Sequence, residues 1–218
     1  LNGTGKQTIS FESDLSNFGT LETTNDQLVF EKRVSWIKQG SDIHAVSNGC
    51  EMDGRKDMDL NGYQLTMDGD ISVCSNIDVN NGTMKVNGSL NHYRGTINLN
   101  GGKLDITGNY LCVGDDSSFT PGKENITWSD AELKMTYAAD EMRVGGDFLM
   151  NSYHNNQDLT AGTLYIGGNF TQLNSYGEGA GYNFGPGEKH KTVLNGTGKQ
   201  TISFESDLSN FGTLETTN

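Results

Sequence analysis

Five segments of the chain share one pattern of apolar and polar positions: LTMDGDI (65–71), MKVNGSL (84–90), LDITGNY (104–110), MRVGGDF (142–148) and LYIGGNF (164–170). Each opens with Leu or Met, continues with any residue, then Met, Val or Ile, any residue, Gly, a small polar residue, and a closing apolar one. Alternation over the first three positions sends every second side chain to one face, as a strand requires. The glycine supports a tight bend, where positive φ is often needed. The Asp, Ser or Asn beside it hydrogen-bonds local backbone. The closing apolar residue turns inward and starts the next strand. The pattern therefore predicts a strand, a corner and a second strand. It assigns inward or corner places to Leu65, Met67, Gly69, Met84, Val86, Gly88, Leu104, Ile106, Gly108, Met142, Val144, Gly146, Leu164, Ile166 and Gly168.

The five segments start 19, 20, 38 and 22 residues apart, and the 38 reads as two intervals of 19 around a degenerate copy near ITWSD (126–130). A period near 20 marks a solenoid. No single turn can bury its apolar face alone, so stacked turns supply the stability. The predicted fold is all-β: a right-handed parallel β-helix (β-solenoid) with turns of ~19–22 residues. Roughly nine or ten turns at ~4.8 Å each would advance the chain about 45 Å. No window sustains helical periodicity, and short β-branched and aromatic runs stand in its place. Turns are expected at Asn61-Gly62, Asn81-Gly82, Gly101-Gly102, Gly145-Gly146 and Gly167-Gly168. The Gly-rich stretch 174–190 reads as an excursion from the body.

A longer repeat overlies the short one. Residues 1–25, LNGTGKQTISFESDLSNFGTLETTN, recur without a change as 194–218, an offset of 193. The domain reading is one complete unit over 1–193 and the start of the next, identical unit over 194–218. An array of identical units is a material such as a stalk, fibre or surface layer. An enzyme gains little from end-to-end copies, so none is expected, and no cofactor either.

Charge narrows the partners. The formal net charge is −13, with 15 Lys+Arg against 28 Asp+Glu, which leaves no basic stripe for nucleic acid or an anionic membrane surface. It would keep a long filament soluble by self-repulsion and attract divalent cations. No stretch reaches 18 apolar residues, so no membrane insertion is expected in this window. With 29 Gly and 2 Pro, the composition suits many tight turns between short strands. Cys50, Cys74 and Cys112 lack the C-x-x-C-H of c-type haem attachment. Cys50 and Cys74 stand near one turn apart, so a disulfide between neighbouring turns and three separate buried thiols are both open.

Candidate chemistry is sparse. Asp57-Asp59, Asp68-Asp70 and Asp115-Asp116 could offer oxygen ligands to calcium, against the plainer reading of solvated turn aspartates. GTGKQT (3–8 and 196–201) lacks the Walker spacing and reads as a turn leading into a strand. His44, His92, His154 and His190 show no ligand spacing and read as surface or turn residues. Trp36, Trp128, Phe148 and Phe170 read as core or stacked corner residues. Of six Asn-x-Ser/Thr sequons, Asn81 and Asn195 at turns are the candidates for glycan, and Asn169 on a corner is expected to be occluded.

GTLYIGGNF and GKLDITGNY, with LNGTGKQTISF leading into SNFGTLETTN, resemble secreted prokaryotic surface proteins built as parallel β-solenoids, such as filamentous-haemagglutinin-type adhesins and giant repetitive cell-surface proteins. The resemblance implies export to the extracellular or cell surface, an extended rod, and a role in adhesion, matrix or filament formation. The unchanged long repeat departs from typical adhesins and favours a structural filament whose partner is itself, one unit stacked end to end on the next. The alternatives are an adhesin stalk and, further off, a β-helix polysaccharide-active enzyme.

Overall fold

A computed structural model describes residues 1–11, 18–23, 27–34, 36–53, 57–114, 128–155, 157–173, 183–205 and 209–217. Its ordered body is all β. Every strand pairing between named strands is parallel, and the strands form long ladders compatible with a β-solenoid. The first ladder runs from Ile43–Asp53 through Gln64–Asp68, Thr83–Asn87, Lys103–Ile106, Glu141–Val144, Thr163–Ile166 and Lys191–Leu194 to Thr213–Thr216. The second also starts from Ile43–Asp53, which bends to serve both. It continues through Ile71–Cys74, Leu90–His92, Tyr110–Cys112, Phe148–Met150 and Phe170–Gln172 to Ile202–Phe204. A third ladder joins Met58–Asp59, Ile77–Asp78, Arg94–Asn98 and Asp130–Lys134.

Register places like on like. Leu65, Met84, Leu104, Met142 and Leu164 are successive partners, as are Met67, Val86, Ile106, Val144 and Ile166. All ten are buried. In the second ladder the closing apolar positions stack as Ile71, Leu90, Tyr110, Phe148 and Phe170. The rings of Tyr110 and Phe148 lie 5.1 Å apart and those of Phe148 and Phe170 5.5 Å apart, both nearly parallel. Full burial of each such side chain contributes about 1.5–3 kcal/mol, and the in-register column makes every turn depend on its neighbours.

Several expectations change. Leu104 pairs directly with Met142 across the 38-residue interval, so no strand of an intermediate copy stands between them in the first ladder. The strand within that interval, Asp130–Lys134, lies in the third ladder on Arg94–Asn98. The three cysteines are buried and free. Glu51 pairs with Ser72, which sets Cys74 opposite Asp53 and out of line with Cys50. Burial pushes the Cys50 and Cys112 thiols up to about 12, so neither supplies a thiolate at neutral pH.

His92 and His190 are fully buried and not surface residues. Trp128 is 38% exposed and rests on Tyr153 rather than in the core. Phe148 and Phe170 are core, as expected, while the Trp36 side chain and Asp115-Asp116 lie outside what is described. Of the Gly-rich stretch, 174–182 lie outside the described residues, and 183–190 pack on the body. Phe184 is fully buried with its ring edge-on to Phe148 and Phe170.

Candidate assembly site

Each corner of the recurring motif ties one turn to the next. Asp70 Oδ1 accepts the Ser89 N–H at 2.6 Å, and Ser89 Oγ accepts the Asn109 N–H at 3.1 Å. Asn109 Oδ1 takes the Asp147 N–H at 2.8 Å, Asp147 Oδ1 the Asn169 N–H at 2.7 Å, and Asn169 Oδ1 the Thr201 N–H at 2.9 Å. The small polar residue therefore serves the backbone of the neighbouring turn and not, as expected, its own. This is why Asp, Ser and Asn interchange there: each carries an oxygen one or two bonds from Cβ.

The glycines answer a second demand. Among the five motif glycines only Gly69 has positive φ, at 112°. The others are needed for close approach. A Cβ on Gly88 would stand 2.5 Å from the Gly69 carbonyl carbon, and one on Gly168 2.6 Å from that of Gly146. Left-handed backbone gathers at another corner, in the pairs Asn61-Gly62, Asn80-Asn81 and Asn100-Gly101. There Asn80 Nδ2 donates to Asp59 Oδ1 and Asn100 Nδ2 to Asn80 Oδ1. Asp140 closes that corner: its Oδ1 accepts the Gly101 N–H at 2.6 Å, and its Oδ2 accepts those of Thr136 and Tyr137.

The acidic pairs considered for calcium are engaged in similar bonds. Asp57 accepts from Asn76, Asp59 from the Asn61 N–H, and Asp68 from Asn87 and His44. Among the described residues no three His, Cys, Asp or Glu side chains gather as a metal site, and no helix is long and apolar enough to cross a membrane. His92 is satisfied on both sides. Its Nε2 faces the Gly95 carbonyl and must donate, so its Nδ1 accepts from the Tyr110 hydroxyl at 2.9 Å. Nothing in the sequence but the inward place of His92, two after Leu90, signals this pair.

The long repeat appears in two settings. In its second copy, GTGKQT is a turn pinned by Gln200, whose Oε1 accepts the Gly196 N–H and whose Nε2 donates to the carbonyls of Ile166 and Gly168. Beyond it, Ile202 pairs with Phe170 in the second ladder, and Leu214 with Thr192 in the first. In the first copy the equivalent residues use the downstream side: Ile9 pairs with Phe30, and Leu21 with Gln39. Local conformation is shared. The Phe11 and Phe18 rings are 5.2 Å apart at 60°, and their counterparts Phe204 and Phe211 are 5.3 Å apart at 63°. Exposure differs: Ile202 and Leu214 are 38% and 40% exposed, whereas Leu21 is 6% exposed and Ile9 packs partly buried on the core.

The outer face of the first ladder is charged. Lys191 Nζ lies 2.8 Å from Glu215, Lys103 reaches Glu141, and the Arg143 guanidinium sits 4.0 Å over the Tyr165 ring. Such exposed pairs are screened by solvent and add little to stability. Arg143 and Tyr165 line an open cleft on this face with Lys85, Asp105 and Asn195. No protein-family model, curated protein or solved structure matches the chain.

Proposed function

We propose that the protein is structural: a right-handed parallel β-solenoid whose identical units stack end to end into an extracellular filament or fibre. The observation that carries this reading is the return of 25 residues unchanged at an offset of 193. A second support is that the start of the second copy continues both ladders of the first unit in register, with Ile202 on Phe170 and Leu214 on Thr192. The partner is another copy of the unit, and the working parts are the corner glycines, the polar corner ladder and the inward Leu, Met, Ile and Val columns. Export to the cell surface follows from the resemblance to secreted solenoid proteins, where Asn81 and Asn195 are the sites for glycan.

Electron cryo-microscopy of the native material tests the reading. The expected image is a thin rod with a ~4.8 Å axial spacing and a longer repeat near ~45 Å. Isolated compact particles would overturn it.

A further inference from the structure

Identical residues occupy different ladders in the two copies. Thr213–Thr216 lies at the end of the first ladder, where Leu214 partners Thr192 and Glu215 partners Val193. The same four residues in the first copy, 20–23, lie apart from that ladder, with Thr20 on Lys38 and Leu21 on Gln39. The place they would need is taken, because Leu28 pairs with Ala45 and Phe30 with Ser47 along the edge of Ile43–Asp53. That pairing is irregular, with a register shift between Glu31 and Arg33.

Spacing points to another arrangement. Thr192 and its partner Leu214 are 22 positions apart, as are Ile43 and its partner Leu65. Leu21 and Ile43 are also 22 apart, and so are Thr23 and Ala45. One column can thus run Thr192, Leu214 (the next unit's Leu21), Ile43, Leu65 at a constant interval with apolar residues meeting. The displaced strand has a place at the same interval. Leu28 and Phe30 stand 22 before Cys50 and Met52, and Met52 already belongs to the second ladder opposite Val73. There Phe30 would meet Met52 in place of Ser47, and would displace Val34, which now pairs with Met52.

We propose that at each junction the first ladder runs straight through. The edge of Thr213–Thr216 receives Ile43–Val46 of the following unit, and the strand Leu28–Val34 of that unit, whose Arg33 and Val34 already pair with Glu51 and Met52, slides so that Leu28 and Phe30 also join the second ladder. In residues 1–218 by themselves, Leu28–Val34 instead lies along the edge of Ile43–Asp53. The occupant of the Thr213–Thr216 edge is a second copy of this unit, so the inference rests on the stacking proposed above. Burial of Leu214 between Thr192 and Ile43 drives the exchange.

The test uses two chains: residues 1–218, and a two-unit chain of residues 1–193 followed by 1–218. Paired cysteines in register on neighbouring parallel strands lie within disulfide reach. Glu22→Cys with His44→Cys reports the straight-through register, and Thr20→Cys with Lys38→Cys reports the register of residues 1–218 by themselves. Both pairs are placed in the single unit or in the second unit of the longer chain, oxidised, and read by mass spectrometry. The expected result is the Thr20/Lys38 link in the single unit and the Glu22/His44 link in the second unit. Retention of the Thr20/Lys38 link in both, with micrographs showing one straight rod, overturns the register exchange and leaves stacking intact. Two unstacked bodies in the micrographs overturn both.

Discussion

The backbone N–H of Asp147 donates to the side-chain Oδ1 of Asn109, one turn away along the stack and 38 positions apart in sequence, at 2.8 Å. The bond bridges the longest interval between motif copies and continues a chain of equivalent bonds on either side. Replacing Asn109 by Leu leaves the Asp147 amide to water at this exposed corner, at a cost of about 0.5–1.5 kcal/mol. Asn109→Asp keeps the oxygen and should retain most of the stability. Urea unfolding of the two variants checks this, and equal loss in both would mean that the corner bond does not matter.

The glycine column makes a sharper demand. A Cβ at Gly108 would stand 2.6 Å from Ser89 Oγ and 2.8 Å from both the carbonyl carbon and oxygen of Gly88, backbone that cannot swing aside. Gly108→Ala should therefore force adjacent turns apart and destabilise by about 1–3 kcal/mol, the usual cost of overpacking. Gly198→Ala is the control, since nothing lies within 4 Å of a Cβ there, and it should change stability by less than ~0.5 kcal/mol. Comparable thermal midpoints for both variants would count against the close-approach account.

What the sequence could reveal follows from the same geometry. Alternation at Leu104 and Ile106 exposes a period of two, and the stacked partners Met84, Val86, Met142 and Val144 fall where that period puts them. The direct pairing of Leu104 with Met142 was not legible, because 38 happens to be twice 19 and spacing alone cannot tell whether a copy stands between them. The glycine role was also hidden: a sequence shows that a Cβ is missing, but not whether φ or a neighbouring turn requires it. His92 was half legible. It continues the alternation from Leu90 inward, yet only the fold brings Tyr110 to its Nδ1. At the assembly site the identity of Leu21 and Leu214 was plain, while their different partners, Gln39 and Thr192, depend on which strands lie beside them.

Buried His92 should make the fold acid-sensitive. Desolvation holds its pKa down at about 3, against the usual 6.5. Between these values the unfolded chain binds a proton that the folded chain does not, so stability falls as pH drops from 6.5 towards 3 and is complete above 6.5. The full difference amounts to about 5 kcal/mol. His190, lowered in the same direction by burial, contributes alongside it. His92→Leu should lower stability at neutral pH, because the Tyr110 hydroxyl loses its acceptor, and should flatten the slope between pH 6.5 and 3. An unchanged slope in stability measured by denaturant across that range would show that His92 does not carry the proton linkage.

A charge inside the column tests the register itself. Ile106 is 3% exposed and stands between Val86 and Val144 on neighbouring turns. Ile106→Asp would bury a carboxylate among aliphatic side chains, costing several kcal/mol or forcing the turn to open. Asp105→Asn, one residue away on the outer side of the same strand, leaves the column untouched. The expected outcome is cooperative unfolding at clearly lower denaturant for Ile106→Asp and a near-normal curve for Asp105→Asn. Equal stability of both would place Ile106 outside the core and undo the inward assignment of the whole motif.

Glycan attachment should discriminate among sequons by their place in the ladders. Asn81 is exposed on a left-handed turn, and Asn195 is exposed beside Gly196. Asn169 is held on both sides: its Nδ2 donates to Asp147 Oδ1 at 3.0 Å, and its Oδ1 accepts the Thr201 N–H. A sugar on its Nδ2 would have to fit between two stacked turns. When the unit is expressed in a host that glycosylates Asn-x-Ser/Thr, peptide mass spectrometry should find Asn81 and Asn195 occupied and Asn169 bare. Efficient modification of Asn169 would require its corner to open, and would show that the polar ladder is not closed when the glycan is added.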